Sequence, residues 1–258
     1  MHGFCPLASG SKGNCLYFGT KEARLLIDAG ISAKMVRERL AEIAVDVRTI
    51  DAILITHEHT DHIKGLAQLA CKLGIPVFAN SDTAREIYAL LGRLPQFKLF
   101  VTGEPFVFRD VTVHPFSVQH DTVDPVAFTL QAPSWKVGVC ADLGCATALV
   151  AHALRGCDYL YLEANHQPSM VHASARPMVY KQRVLSRQGH LSNEECAELA
   201  AQVAHAGLKH VYLAHLSSEC NAPDLALRIV RESLERRGYQ IPLSIAYQDR
   251  LSHRIIEE

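Results

Sequence analysis

The sequence predicts an α+β chain in which two mixed β-sheets lie face to face with helices outside them. Two observations carry this expectation. Both halves of the chain read as strands followed by strand–helix alternation. The residues with the most chemical potential fall at the carboxyl ends of apolar runs, where strand ends present side chains to a shared cleft. Propensity alone leaves several α+β arrangements open. The 258 residues, 48% hydrophobic and 21% charged, suffice for one large sandwich or two small domains with a substantial core.

In chain order, residues 16–18 and 24–27 predict a hairpin joined through Gly19-Thr20-Lys21. Ser32 predicts the cap of a helix whose Val36, Leu40 and Ile43 share one face. A strand over 52–55 precedes a polar loop and a helix running to Leu73, where Gly74 and Pro76 stop it. A short strand over 77–79 leads to a helix over 82–91. Residues 97–141 are strand-rich, with turns at Thr102-Gly103-Glu104-Pro105 and Asp124-Pro125. Helices over 146–154, 192–206 and 223–236 then alternate with strands over 159–162, 211–213 and 244–247. There are no repeats, long linkers or low-complexity segments.

Composition excludes some classes of function. A net charge of −1 supplies no global field for a polyanion, so any such affinity must come from a local patch. No apolar run approaches the ~20 residues that span a bilayer, so no membrane partner is expected. The opening Met-His-Gly-Phe-Cys-Pro lacks the basic start and apolar core of a secretory signal. The eight cysteines are scattered without a CxxC, and Cys71, Cys140 and Cys196 sit within apolar runs. These features predict free thiols and a cytoplasmic protein. No feature of the sequence assigns an oligomeric state.

Residues 56–62 read Thr-His-Glu-His-Thr-Asp-His, which packs three imidazoles and two carboxylates into seven positions directly after Ile53-Leu54-Ile55. A strand delivers the chain, and a short loop turns His57, His59, Asp61 and His62 toward a common centre. Imidazole nitrogens with carboxylate oxygens suit zinc, manganese or iron. Four donors exceed what one catalytic metal usually takes from a single loop, so two adjacent metals are expected. A polar, solvated loop is the alternative, but HxHxDH after a strand is not a chance pattern even with 14 histidines in the chain.

HxHxDH is the signature of the metallo-β-lactamase-fold superfamily, and the chain resembles that superfamily from end to end. The resemblance implies a four-layer αββα sandwich and a single hydrolase domain over residues 1–258. It also implies that a later His, a later Asp and a final His complete the site, each after its own strand. His120 follows Phe116-Ser117-Val118, Asp142 follows Val137-Gly138-Val139-Cys140, and His215 follows Val211-Tyr212-Leu213-Ala214. In the implied centre, His57, His59 and His120 hold one divalent metal, Asp61, His62 and His215 hold another, and Asp142 bridges them. Two such cations lower the pKa of a shared water, giving the bridging hydroxide that attacks, and stabilise charge on phosphorus. Zinc and manganese fit about equally, and iron is a third candidate.

Four segments resemble the YycJ/WalJ-like branch. They are 8–14 with Leu26-Ile27-Asp28-Ala29-Gly30; His120-Asp121 with Pro125; Glu163-Ala164-Asn165-His166; and Gly189-His190-Leu191-Ser192-Asn193 with His215-Leu216-Ser217 and Asn221. Ala127 stands where the branch has Gly, and Gln167 where it has Asp. The resemblance implies 5′-to-3′ exonuclease activity on DNA, and kinship with tRNA-processing RNase Z and cyclic phosphodiesterases. It also implies that His190 protonates the departing oxygen, as RNase-Z-like enzymes place a His there.

The residues support part of this independently. Residues 164–193 contain no Asp or Glu but carry Arg176, Lys181, Arg183 and Arg187. Such local density suits phosphate neutralisation, with single-stranded DNA or DNA ends as the expected partner. A solvated helix face is the alternative. Ser192 and Glu195 form a capping box that sets His190 before a helix amino terminus, a position that favours an anion. Ser11, Asn14, Lys181, Arg183, Ser192 and Asn193 are candidate substrate contacts, while His190 and Asp61 are candidate catalytic groups. Asp28, at a strand end, is expected to orient a metal-binding His by hydrogen bonding. The rival readings are a small-molecule or cyclic phosphodiesterase with the same centre, and a non-catalytic metal-binding regulatory module.

Overall fold

The computed structural model describes residues 1–92 and 95–257. The early strands are β1 (Gly3–Ala8), β2 (Cys15–Gly19), β3 (Arg24–Ile27), β4 (Ala52–Leu54), β5 (Val77–Ala79) and β6 (Phe97–Leu99). There follow β7 (Phe106–Phe108), β8 (Val111–Ser117), β9 (Val126–Gln131), β10 (Lys136–Cys140), β11 (Tyr159–Glu163), β12 (His210–Ala214), β13 (Leu243–Ile245) and β14 (Ile255–Ile256). They form two seven-stranded sheets, ordered β14-β1-β2-β3-β4-β5-β6 and β13-β12-β11-β10-β9-β8-β7. Both are mixed. The run β3 to β6 is parallel and β1 to β3 antiparallel, while β10 to β13 are parallel and β9 pairs antiparallel with β10.

The chain divides into two compact units, Met1–Pro115 with Thr122–Val126 and Ala246–Glu258, and Phe116–Asp121 with Ala127–Ile245. In the first unit, Leu7, Tyr17, Leu26, Ile53 and Val77 from the sheet are buried in one cluster with helix residues. Helix α1 (Ala33–Glu42) supplies Val36 and Leu40 to that cluster, and Ser32 Oγ accepts from Met35 N at its start, as expected.

The single helix expected after residue 59 is instead two short ones, α2 (Thr60–Ile63) and α3 (Leu66–Leu69). Gly65 separates them. Its N–H donates to Ala29 O at 2.7 Å, and a Cβ there would strike the Ile31 carbonyl. Close backbone contact with the segment after β3 therefore overrides helical continuity, and it also sets α2 beside Asp28. Helix α4 (Ser81–Leu91) is capped by Asn80 and ends at Gly92 in the left-handed conformation.

Strand β1 carries Pro6, a residue that argues against a paired strand. The structure accommodates it with an irregular register between Pro6 and Ala8 against β2. Strand β14 is only two residues long and pairs with β1.

In the second unit the parallel strands bury Val137, Val139, Leu160, Leu162, Val211 and Leu213. Helix α5 (Ala148–Leu154) is followed by α6 (Pro168–Ala173) and α7 (Met178–Val184), two short helices each introduced by a proline. Helix α8 (Asn193–Val203) opens on the expected capping box, and it packs against α5 and α9 (Pro223–Arg236). The strand expected over 244–247 stops at Ile245, and Tyr247 O accepts from Ser9 N instead. All eight cysteines are free thiols. No described helix is long and apolar enough to cross a membrane.

Candidate metal centre

In the first unit, β3 and β4 run parallel, so their carboxyl ends bring Asp28 beside Thr56. Thr56 N and Oγ1 both donate to the Asp28 carboxylate, at 2.9 Å to Oδ1 and 2.9 Å to Oδ2. His62 Nδ1 donates to Asp28 Oδ2 at 2.7 Å, and His57 Nδ1 lies 3.0 Å from Thr56 Oγ1. In the tautomers that satisfy this chain, both Nδ1 atoms carry hydrogen and both Nε2 atoms keep a lone pair for a cation. Asp28 is thus placed on a candidate metal-binding histidine.

The His57 ring centroid stands 4.0 Å from that of His62 and 4.8 Å from that of His59. Asp61 Oδ2 lies 3.6 Å from His62 Nε2. The Asn14 side chain reaches the same two groups, with Nδ2 at 3.0 Å from His62 Nε2 and 3.3 Å from Asp61 Oδ2. Asn14 is buried, while Ser11 is exposed.

In the second unit, parallel β10, β11 and β12 end side by side, and Asp142, Glu163 and His215 occupy those ends. Together with His190 they bring donor atoms within 4.8 Å of one another. Glu163 Oε1 accepts from His190 Nδ1 at 2.7 Å and from His215 Nδ1 at 3.1 Å. Its Oε2 accepts the backbone N–H of Leu143 at 2.9 Å and of Leu191 at 3.2 Å. Burial pushes the Glu163 carboxyl up, but the His190 charge and the bonds from His190 and His215 outweigh it and hold the group at about 2. Glu163 is therefore a buried anion clamping two imidazoles.

His120 donates from Nδ1 to Gly189 O at 3.0 Å, and burial lowers its pKa, which keeps the ring neutral and fit to ligate. Asp28, Asp142 and His215 all adopt left-handed φ, at 60°, 57° and 53°. That conformation is costly for non-glycine residues and is tolerated where it aims a functional side chain.

In both units, buried imidazoles (His57, His62, His120 and His215) are held through Nδ1, which leaves Nε2 for a divalent cation. His57, His59, Asp61 and His62 supply donors in the first unit. His120, Asp142 and His215 supply them in the second.

The structure places the candidate substrate contacts in varied settings. Ser192 Oγ is engaged in the helix cap, accepting from Glu195 N at 3.2 Å and donating to Glu195 Oε2 at 2.8 Å. Asn193 is wholly buried, with its amide on Asn221 at 2.9 Å and Gln167 at 3.2 Å. Asn221 in turn donates to the carbonyls of Ala164 and Asn165, and Asn165 Nδ2 donates to His215 O at 2.8 Å. Lys181 Nζ is exposed and donates to His172 O at 2.7 Å. Arg183 grips Asp121 with two bonds, and Arg176 does the same to Glu219. The segment without acids in sequence therefore meets acids in space.

Glu163 and Asn165 escaped the sequence reading as site residues. Their signal was available: Glu163 ends the apolar run 159–162, as Asp142 ends its own.

Comparison with known proteins agrees with the fold and the family. The profile of the β-lactamase superfamily domain matches residues 23–216. The chain is 37% identical over 240 residues to exodeoxyribonuclease YycJ of Bacillus anthracis, covering 92% of this chain and 91% of that protein. It is 38% identical over 224 residues to exodeoxyribonuclease WalJ of Streptococcus pneumoniae, covering 85% and 83%. The crystal structure of the metallo-β-lactamase fold protein YhfI from Bacillus subtilis superposes with a TM-score of 0.72 at 18% identity, covering 96% of this chain and 97% of that one, which shows the shared fold. From its motifs, its sheets and these likenesses, the chain belongs to the β-lactamase superfamily, with the metallo-β-lactamase fold and a branch shared with the exodeoxyribonucleases YycJ and WalJ.

Proposed function

We propose that this chain is a metal-dependent phosphodiester hydrolase that degrades DNA strands from the 5′ end, with residues 1–258 acting as one hydrolase domain. The observation that supports it best is the Glu163–His190 pair beside Asp142 and His215. Phosphodiester cleavage needs a group to protonate the departing oxygen, and an imidazole backed by a buried anion suits that task. His190 Nδ1 is occupied by Glu163 at 2.7 Å, so Nε2 is the atom that would deliver the proton. The likeness to YycJ, named an exodeoxyribonuclease, supports DNA as the substrate.

The proposed metal ligands are those of the superfamily order: His57, His59 and His120 for one ion, Asp61, His62 and His215 for the other, and Asp142 for both. Bound zinc or manganese, with iron as a third candidate, would activate water and stabilise charge on phosphorus. The chain's own contribution is to hold the imidazoles. Asp28 fixes His62, Thr56 fixes His57, Gly189 O fixes His120 and Glu163 fixes His215. Asp61, as ligand, also lies within reach of the Asn14 amide.

A second reading, a small-molecule phosphodiesterase, draws support from the ion pairs of Arg176 and Arg183, which reduce the charge left for a long strand. Lys181 and Arg187 keep the strand reading in play. The deciding experiment incubates purified protein with 5′- and 3′-end-labelled DNA and RNA, with and without manganese or zinc. Stepwise loss of mononucleotides from 5′ ends of DNA is the expected result. Hydrolysis of bis(p-nitrophenyl) phosphate with every strand left intact would overturn the exonuclease reading in favour of the second.

A further inference from the structure

A glycine-rich loop over residues 9–14 lies in the first unit and is braced by the chain's last segment. Gln248 Oε1 accepts from Lys12 N at 2.7 Å, Gln248 Nε2 donates to Gly13 O at 2.9 Å, and Tyr247 O accepts from Ser9 N at 3.0 Å. Gln248 is itself held, because buried Arg39 donates to its carbonyl at 3.3 Å and to the carbonyl of Leu7. At the other end of the loop, Asn14 N donates to Asp61 O at 2.7 Å, and Asn14 Oδ1 accepts from Gly10 N at 2.8 Å.

Gly10 and Gly13 have φ of 137° and 145°, which disfavour any side chain. A Cβ at position 10 would stand 2.7 Å from Gln248 Oε1, and one at position 13 would strike the Gly30 carbonyl. Such a loop is rigid, and it is tied directly to a candidate metal ligand.

What the loop presents is Ser11 and Lys12, both exposed. No described residue pairs with the Lys12 ammonium. Lys12 is two residues from Asn14, so their Cα atoms lie within about 7 Å. Two residues after Gln248 in the chain, the Arg250 guanidinium stacks on the Tyr247 ring, 3.8 Å from its centroid. The first 21 residues contain no Asp or Glu, and Asp249 is the one acid of residues 246–252. An exposed ammonium on this braced loop, together with a flat cation–aromatic pair on the segment that braces it, matches one nucleotide of a single strand. The ammonium suits the phosphate, and the platform suits the base.

We infer that Lys12 and the Arg250–Tyr247 pair form a strand-anchoring subsite for single-stranded DNA, in which Lys12 holds a backbone phosphate and a base stacks on Arg250. This inference rests on the exonuclease reading, so its test separates the two. Binding of a labelled phosphorothioate oligodeoxythymidylate, which resists cleavage, is followed by fluorescence anisotropy with metal-loaded protein at several salt concentrations. Cleavage of ordinary DNA is assayed in parallel.

Lys12→Ala should weaken binding and reduce the salt slope by about 0.7, one single-strand phosphate contact. Lys12→Arg should keep the slope. Arg250→Ala should weaken binding roughly ten-fold. Unchanged melting temperatures would show that the variants fold. Affinity and slope equal to the parent's in Lys12→Ala and Arg250→Ala would overturn the subsite while parental cleavage keeps the exonuclease reading. Weakened binding with no cleavage by the parent would do the reverse. A parent that binds no DNA would overturn both.

Discussion

Asp28 and Glu163 each use a carboxylate to set histidine tautomers, and each makes a prediction. Asp28 takes His62 Nδ1–H and the Thr56 hydroxyl, so both lone pairs of its ring partners' outer nitrogens stay available. Asp28→Asn should lower metal affinity roughly ten-fold or more, read by titration against a chelating dye. Unchanged affinity would reduce Asp28 to a turn residue. Glu163 holds His190 as well as His215. Glu163→Gln keeps the shape but removes the anion that supports a protonated His190. Its kcat on DNA should fall by about a hundred-fold or more, with the Kd for a non-cleavable strand near the parent's. A kcat within two-fold of the parent's would remove His190 from the role of acid.

At the level of elements, α8 decides how Ser192 is understood. Its hydroxyl and the Glu195 carboxylate satisfy each other's ends of the first turn. Ser192→Ala should therefore cost about 1 kcal/mol in urea unfolding, with KM for a DNA strand unchanged. A raised KM at parental stability would instead mark a substrate contact. The parallel run β10, β11 and β12 explains why so much of the site was legible. Asp142 and His215 each end a run of apolar residues, and the resemblance to the superfamily, which implies a later Asp and a final His after a strand, singled them out. Glu163 ends the third run, but it was read only as part of a resemblance. Its role depends on hydrogen bonds to His190 and His215, which are 27 and 52 residues away. Helices α6 and α7 were missed because each buries a single residue, Val171 and Val184, so no apolar face repeats along them, whereas the equally short α5 buries four. The pairing of Arg183 with Asp121 spans 62 residues and was invisible for the same reason as the Glu163 bonds.

For the whole molecule, the proposed centre predicts close to two metal ions per chain by elemental analysis, with at least one lost in Asp142→Ala. Folded protein that retains none after reconstitution would sink the metal reading. The cysteines give a prediction free of metal. Burial pushes the Cys5 and Cys157 thiols to about 12, and it raises those of Cys15, Cys140 and Cys196 as well. Cys220 is also buried, which leaves Cys71 and Cys145 as the partly exposed thiols. Iodoacetamide at pH 8 should label those two in native protein and all eight after unfolding, as mass spectrometry would count. The free thiols and the two mixed sheets were both anticipated, because composition and strand alternation report on bulk packing. The two-part helix after residue 59 was not, since Gly65 is a helix breaker only by virtue of what lies against it.

The left-handed backbone at Asp28, Asp142 and His215 has a consequence for anyone engineering this scaffold. Each residue is retained where glycine would sit with less strain, at a cost of roughly 1 kcal/mol. Inactive versions made with glycine at Asp142 or His215 should then resist heat better than those made with alanine. Directed evolution for thermal endurance alone would be drawn toward erasing these very side chains, so a selection on this chain needs an activity screen at every round.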